Sequence, residues 1–575
     1  MPNPPNDSAQ YLANLFAAGQ DLMQKFAASI PSASGQAFTD PAAAFMATSK
    51  SFAEMQQDYL KQVTGFWAGM LGAATPAEEA APPMAKGDDK RFAGEAWRQD
   101  PRFDLVKRTY LAYSGFLQDS VNSAPVDEKT KGQLRFAVRQ FIDAMSPANF
   151  FATNPEAMQL AMETGGQSLT EGMGLYFQDL AKGRISMTDE SAFEVGKNLA
   201  VTEGAVIFEN DLIQLIQYTP RTGEVYERPL VIIPPCINKF YILDLQPENS
   251  LVKYAVEQGH TVFLASWRNI TPELGHLTWD DYIEIGVLQA IDVALETSGA
   301  NQVNALGFCI GGTLIASALS IMTARDEDKV ASLTLLTTLL DFTDTGELGL
   351  LVSEQSVAAR EATIGQGGVM HGKELAFTFS SLRANDLIWN YVVNSYLKGK
   401  GPPPFDLLRW NADDTNLPGP MFCWYVRNTY LENKLKEPGG TVQCGVPVDL
   451  TAIDVPAFVY ASREDHIVPW KSAYASVNLL SGETIFVLGA SGHIAGVINA
   501  PAKNKRNYWA EGTAGPDAEQ WLANARSVPG SWWPYWSAWL ARQAGPKVAA
   551  RAQLGGDKHQ AIEPAPGRYV KAKAD

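Results

Sequence analysis

A cysteine flanked by glycines stands near the middle of the chain, between an apolar run and a helical pattern. The segment Gly307-Phe308-Cys309-Ile310-Gly311 follows the run Gln-Val-Asn-Ala-Leu at 302–306. A strand, then Gly-x-nucleophile-x-Gly, then a helix predicts a nucleophile elbow, a sharp turn that presents a nucleophile for acyl transfer. The helix start places partial positive charge beside the sulfur, which favours the thiolate. A cysteine at this position indicates transfer of an acyl group to something other than water.

An acid and a histidine follow the cysteine in the order that such an elbow requires, each after a predicted strand. Asp465 follows the strand 457–460 and lies 465 − 309 = 156 residues beyond Cys309. His493 follows the strand 484–488, in a glycine-flanked loop, 493 − 465 = 28 residues further on. We predict that His493 accepts the thiol proton and that Asp465 accepts the other imidazole N–H.

Three neighbouring groups are alternatives to this pair. His466 is next to the acid and is a rival base, although its place in the chain order is wrong for that role. Asp454 and Glu464 are rival acids.

The backbone around the elbow predicts two donors for a developing oxyanion. The first is the amide of Ile310, the residue after the nucleophile. The second is expected from the loop 234–238, which follows the strand 230–233, and we predict the amide of Ile237.

Short β-branched runs alternate with helical patterns from about residue 205. Apolar strands separated by helices predict a mostly parallel sheet covered on both faces, the α/β-hydrolase fold. The predicted strands are 205–208, 212–216, 230–233, 261–264, 303–306, 333–336, 457–460 and 484–488. The predicted helices between them are 249–258, 279–297 and 311–324.

The predicted domain organisation has four parts. Residues 1–72 form an amphipathic helical segment, which packs on the main domain or a partner or adsorbs to a hydrophobic surface. The Ala-, Pro- and Glu-rich residues 73–89 are a linker, and 90–200 form a helical N-terminal domain that includes a helix from about Pro125 to Met145. Residues 201–575 form the catalytic domain, in which about 341–455 is an inserted cap over the active site.

Composition excludes several other classes of protein. The net charge of −17 argues against nucleic-acid binding. The four cysteines among 575 residues have no CxxC spacing, so we expect neither a disulfide scaffold nor a metal site. No signal peptide and no apolar run of membrane-spanning length is evident, so a cytoplasmic location is expected.

These residues resemble the class I polyhydroxyalkanoate synthases over nearly the whole chain after the linker. The similarity is specific because several separate motifs contribute to it. The motifs are Ser146–Phe150, Thr153–Glu156, Pro234–Leu245, Thr278–Ile283, Gly307–Thr313, Trp410-Asn411, Thr415–Pro420, Asp465–Trp470, Gly492–Gly496 and Gly530–Pro534.

The resemblance implies an activity. The substrate would be (R)-3-hydroxyacyl-coenzyme A, and Cys309 would take the acyl unit, release coenzyme A and support growth of a polyester. No cofactor is implied besides this thioester substrate. Asp465 would either orient His493 or act as general base on the 3-hydroxyl group. The family further implies a homodimer on the surface of cytoplasmic polyester granules, and a position for Arg383, in the cap, near the substrate path.

Two other functions remain possible on the sequence. One is a cysteine-dependent thioesterase or hydrolase of the same fold, for which the large aromatic cap is an unexpected addition. The other is a granule-coat or scaffold protein whose catalytic residues are vestigial.

Overall fold

The computed structural model describes residues 89–574. The predicted segment 1–72 and the predicted linker, apart from Asp89, lie outside these residues. The described residues divide into two compact units: the first contains 89–176 together with Ala384–Lys400, and the second contains Phe177–Arg383 and 401–574. The four-part organisation predicted from the sequence stays a prediction.

The first unit is helical. The helix predicted from about Pro125 to Met145 is observed at Glu128–Ala144, and Asp127 caps its start by accepting a hydrogen bond from the amide of Thr130 at 3.0 Å. The helices of this unit are Ala96–Gln99, Pro101–Asn122, Glu128–Ala144, Pro155–Glu163, the first part of Gln167–Lys182, and the π-helical turns Asn385–Trp389 and Val392–Leu397.

The second unit is built around an eleven-stranded sheet. Its strands in chain order are β1 Gly204–Glu209, β2 Ile213–Tyr218, β3 Leu230–Ile233, β4 Val262–Trp267, β5 Val303–Phe308, β6 Val330–Leu336, β7 Ala457–Ser462, β8 Thr484–Gly489, β9 Asn507–Ala510, β10 Arg526–Pro529 and β11 Glu563–Pro564. The spatial order is β10-β9-β8-β7-β6-β5-β3-β4-β2-β1-β11. All eight predicted strands are confirmed, with shifts of a few residues at their ends.

The centre of this sheet is parallel and its edges are antiparallel. The six strands β4, β3, β5, β6, β7 and β8 pair in parallel. The hairpin β1–β2 and the late strands β9, β10 and β11 pair antiparallel. The predicted mostly parallel sheet is therefore confirmed, whereas the late antiparallel strands β9, β10 and β11 were not predicted.

Both faces of the sheet are covered. Along β3, Val231 and Ile233 enter one apolar core, while Leu230 and Ile232 enter the other, as the two-residue period of a strand requires. The first core also contains residues of the helices Gln289–Ser298 and Ile310–Ala324, and the second contains residues of the helices Leu251–Glu257 and Trp533–Gln543. This burial on two sides explains why the central strands are continuous apolar runs.

The three predicted helices of this unit are confirmed at 251–257, 279–298 and 310–324. The second is not uniform, because the π-helical stretch Tyr282–Leu288 separates Trp279–Asp281 from Gln289–Ser298. Such π-helical insertions are rare and locally widen a helix.

The predicted cap, about 341–455, contains mostly short helices. They are Gly346–Leu351, Glu354–Ile364, Gly372–Leu382, Asp406–Asn411, Gly419–Val426 and the π-helical Arg427–Leu431. The remaining helices of the unit are Trp470–Tyr474, Ser476–Leu479, His493–Val497 and Ala518–Asn524. Across residues 89–574 no helix combines the length and the apolar character needed to cross a membrane.

Candidate active site

The turn between β5 and the helix Ile310–Ala324 has the strained geometry of a nucleophile elbow. Cys309 occupies the turn with φ 55° and ψ −126°, a region that residues other than glycine seldom adopt. Its amide donates to the carbonyl of Leu336 on β6 at 2.9 Å, which fixes the turn to the sheet. The side chain of Cys309 is partly exposed and lies at the start of a fifteen-residue helix.

The flanking glycines are required by close backbone approaches. A Cβ atom on Gly307 would lie 2.4 Å from the Cα atom of Gly312, where the strand meets the helix. A Cβ atom on Gly311 would lie 2.2 Å from the carbonyl oxygen of Ile233, at the end of β3. Side chains at these positions would force the helix away from the sheet and displace the sulfur.

His493 and Asp465 meet as the sequence predicted. Asp465 follows β7 and His493 begins the short helix after β8, so both lie beyond the carboxyl ends of neighbouring parallel strands. The Nδ1 atom of His493 lies 2.6 Å from Oδ2 of Asp465. The side chains are 6% and 0% exposed, respectively, so the pair is shielded from water.

The two oxygens of the Asp465 carboxylate have different partners. While Oδ2 faces the imidazole, Oδ1 accepts hydrogen bonds from the amides of Ile467 at 2.8 Å and Val468 at 2.9 Å. These contacts compensate the buried negative charge and fix the direction in which the carboxylate points.

The imidazole of His493 lies between the carboxylate and the thiol. Burial lowers its pKa, but the charges of Asp465 and Cys309, together with the hydrogen bond to Asp465, raise it overall to about 10. The ring also stacks against Phe308, with centroids 5.8 Å apart. The arrangement thus favours the charged, imidazolium form of His493.

The rival groups are placed differently. Asp454 and Glu464 are exposed, and the carboxylate on His493 is that of Asp465. His466 is half-buried, and burial lowers its pKa.

Arg383 ends the helix Gly372–Leu382 and is exposed. Its charge reaches His466 and helps to lower the pKa of that imidazole, after the larger effect of burial. The structure therefore brings Arg383 into electrostatic range of the loop that carries Asp465.

The two amides predicted to bind an oxyanion have no competing acceptor. Between residues 89 and 574, neither the amide of Ile310 nor that of Ile237 donates to a backbone or side-chain oxygen. The loop of Ile237 also approaches the elbow, because a Cβ atom on Gly311 would lie 2.7 Å from the carbonyl oxygen of Pro234. Both donors are thus available to a ligand.

Two tyrosines near the sulfur were missed by sequence reasoning. Tyr425 and Tyr430 lie 5.7 Å apart between ring centroids, and both are within range of the charge of Cys309. Burial raises the pKa of each hydroxyl, and the negative charge of Cys309 contributes to the rise. They come from the region predicted as a cap. The many aromatic residues of that region are the only feature of the sequence that could have pointed to them.

The described part of the chain holds no cluster of three or more His, Cys, Asp or Glu side chains suited to a metal ion.

The fold and the site define an enzyme of the α/β-hydrolase superfamily. Residues 229–500 match the family described as alpha/beta hydrolase fold, which confirms the predicted fold class. Residues 88–255 match the family described as poly-beta-hydroxybutyrate polymerase (PhaC) N-terminus.

Curated relatives resemble the chain over most of its length. It is 56% identical over 526 residues to a poly(3-hydroxyalkanoate) polymerase subunit PhaC of Cupriavidus necator, covering 91% of this chain and 88% of the relative. It is 40% identical to the protein of the same name from Rhizobium meliloti, covering 91% and 86%. It is 38% identical to poly(3-hydroxyalkanoate) polymerase 1 of Ectopseudomonas oleovorans, covering 87% and 88%. The chain belongs to the poly(3-hydroxyalkanoate) polymerase family and is an acyltransferase, which confirms the family that its motifs indicate.

Proposed function

We propose that the protein polymerises (R)-3-hydroxyacyl-coenzyme A into polyhydroxyalkanoate, with release of coenzyme A, through a covalent acyl-Cys309 intermediate. The observation that carries this proposal is the buried, hydrogen-bonded Asp465–His493 pair, whose imidazole is within electrostatic range of a cysteine in a strained elbow. The names of the curated relatives support the polymer as product.

Acylation begins when the Cys309 thiolate attacks the thioester carbonyl. The carbonyl oxygen becomes an oxyanion, which accepts hydrogen bonds from the amides of Ile310 and Ile237. When the intermediate collapses, the bond from carbon to the coenzyme A sulfur breaks, and the His493 imidazolium gives its proton to that sulfur. Exchange of one thioester for another keeps the acyl group activated.

Elongation uses the 3-hydroxyl group of one unit as the nucleophile on the thioester of another. The hydroxyl oxygen forms the new ester bond and its proton passes to the His493 imidazole, while the bond from the acyl carbon to the thiol sulfur breaks. The polyester gains one unit, and Cys309 returns to the thiolate.

The placement of Asp465 supports an orienting role in both steps. Its side chain is fully buried, with one oxygen on His493 and the other on two backbone amides. A carboxylate so engaged has little room to reach a substrate hydroxyl. We therefore propose that Asp465 fixes and charges the imidazole, and that His493 acts as the base.

The competing reaction is hydrolysis of the acyl-enzyme by water. Incubation with 3-hydroxybutyryl-coenzyme A separates the two: turbidity with coenzyme A release indicates polymerisation, while release of free 3-hydroxybutyrate alone indicates a thioesterase. If a Cys309→Ala variant still accumulated polymer in cells that depend on this gene, the site would be vestigial.

We further propose that the protein acts as a homodimer in the cytoplasm, on the surface of polyester granules, and needs no cofactor. Support comes from the family resemblance and from a set of steps that use only residues of this chain. Light scattering tests the dimer, granule fractionation tests the location, and unchanged activity after dialysis against a chelator tests the absence of a metal requirement.

A further inference from the structure

Residues 562–574, here called the strap, cross the edge of the sheet and are held by buried polar groups. The strap begins with β11, where Glu563 pairs with Val206 and Pro564 with Ala205 of β1. The amides of Arg568 and Tyr569 then donate to one side-chain oxygen of Gln214, each at 3.1 Å. Because Gln214 is fully buried in β2, these bonds fix the strap against the core.

The far end of the strap accepts a hydrogen bond from a buried lysine. The Nζ atom of Lys239 donates to the carbonyl oxygen of Ala572 at 2.7 Å, although the two residues are 333 positions apart. Next to it, the side-chain amide of Asn269 donates to the carbonyl of Lys573 at 3.2 Å. Lys239 is only 3% exposed.

Among the described residues, the carbonyl oxygen of Ala572 is the hydrogen-bond acceptor of the Lys239 ammonium group. Burial lowers the pKa of Lys239, and the charges of Asp413 and Asp414 oppose that shift without contacting Nζ directly. A buried ammonium that lost its acceptor would be strongly destabilised and would have to move toward water. The position of Lys239 therefore depends on the strap.

Lys239 also ends the loop that carries the proposed oxyanion donor. The loop is held at Pro234 by the indole of Trp267 at 2.9 Å, and its Ile237 carbonyl accepts from the amide of Thr415 at 3.2 Å. The Lys239 carbonyl accepts from the indole of Trp410 at 2.7 Å. These three contacts hold the loop by its backbone carbonyls. The hydrogen bond from the buried Lys239 ammonium to Ala572 is the contact that ties the loop to the strap through a charged group.

We propose that Lys239 and the strap together position the amide of Ile237 for the oxyanion, so that Lys239 is a positioning residue for the acyl-transfer step. The inference rests on the proposed role of Ile237. Consecutive Cα atoms are about 3.8 Å apart, so a shift of Lys239 is passed to Ile237 through only two peptide units. A shift of about 1 Å is enough to lower a rate about 10²-fold.

The test compares two reactions of the same sulfur. Acylation of Cys309 by 3-hydroxybutyryl-coenzyme A develops an oxyanion, whereas alkylation by iodoacetamide does not. In Lys239→Met, which keeps the side-chain length but removes the ammonium, we expect single-turnover acylation to fall about 10- to 100-fold with little change in KM. Alkylation should stay within about twofold of the unmodified protein, since the elbow and His493 are untouched.

Lys558→Met is the matched control. Lys558 is 71% exposed and pairs with Glu296, so the same substitution outside the strap should leave both reactions unchanged.

Gly567→Ala perturbs the strap itself, because Gly567 has φ 77° and its Cβ would lie 2.4 Å from the Gln214 side-chain oxygen. It should reproduce the selective loss of acylation, and it carries the test if Lys239→Met fails to fold. In the double variant the loss should not exceed that of the more impaired single variant.

Acylation within about twofold of normal in a folded Lys239→Met or Gly567→Ala protein would overturn the inference, as would equal losses of acylation and alkylation. Neither result would touch the proposed function. That function fails instead if Cys309 of the unmodified protein is not acylated at all.

Discussion

The two halves of the candidate active site are held in place by different physical means. The elbow depends on backbone geometry: a strained Cys309, glycines at close approaches and amides left without acceptors. The acid–histidine half depends on charge and hydrogen bonds in a buried setting. The elbow should therefore be sensitive to added volume, while the acid–histidine half should be sensitive to lost charge.

The largest effect is expected from removing the base. His493→Gln keeps a polar side chain but cannot become charged, so acylation of Cys309 should fall by about 10⁴-fold or more. Rapid-quench measurement of coenzyme A release checks this. His466→Gln is the matched control and should stay within a few-fold of normal, because His466 is not the residue bonded to Asp465. Normal acylation in His493→Gln would reject the assigned base.

A smaller loss is expected when only the charge of the acid is removed. Asp465→Asn preserves the shape of the side chain, but a neutral amide no longer stabilises the imidazolium, so kcat should fall about 10³-fold. Steady-state kinetics should show a KM that changes much less than kcat. An unchanged kcat in Asp465→Asn would show that the charge of Asp465 does not support the function of His493.

The elbow is tested by one methyl group. Gly311→Ala should lower the free energy of unfolding by about 1 to 3 kcal/mol, because its Cβ would overlap the Ile233 carbonyl. Acylation should fall about 10²-fold through displacement of the sulfur and of the Ile310 amide. Gly223→Ala, whose Cβ would meet no atom within 4 Å, is the control for chemical denaturation and kinetics. Equal behaviour of the two variants would contradict the geometric account.

The last expected effect is on stability alone, with no change in the sequence, and it appears as pH changes. The pKa of His493 is raised from 6.5 to about 10 on folding, so the folded state binds this proton more tightly than the unfolded state does. The resulting stabilisation is complete below pH 6.5 and is lost as pH rises through about 10. Urea unfolding of the unmodified protein should thus weaken more over this range than that of His493→Gln. Parallel pH profiles would show that the buried pair does not hold a proton on folding.

The elbow and the order of the candidate catalytic groups were predictable because local patterns encode them. Gly307 and Gly311 flank Cys309 in the sequence, and Asp465 and His493 each follow an apolar strand, so the parallel sheet brings their loops to one edge. The 2.6 Å contact between the acid and the histidine follows from that topology.

Other features depend on contacts between distant segments and could not be predicted in the same way. Tyr425 and Tyr430 lie within range of the charge of Cys309 and come from a region of short helices, whose path no periodicity specifies. The antiparallel strands β9, β10 and β11 have two to four residues each, too few for a clear pattern. The hydrogen bond from Lys239 to Ala572 joins the loop of Ile237 to the strap, and neither local sequence contains a pattern that predicts this contact.

The most direct test of the whole account is to trap the covalent intermediate. The protein is mixed with one equivalent of 3-hydroxybutyryl-coenzyme A, quenched in acid on the millisecond timescale, digested and analysed by mass spectrometry. We expect the peptide containing Cys309 to carry one 3-hydroxybutyryl group or a short oligomer of it, at a rate that matches coenzyme A release. Coenzyme A release and polymer growth with Cys309 unmodified at every time point would contradict the central claim.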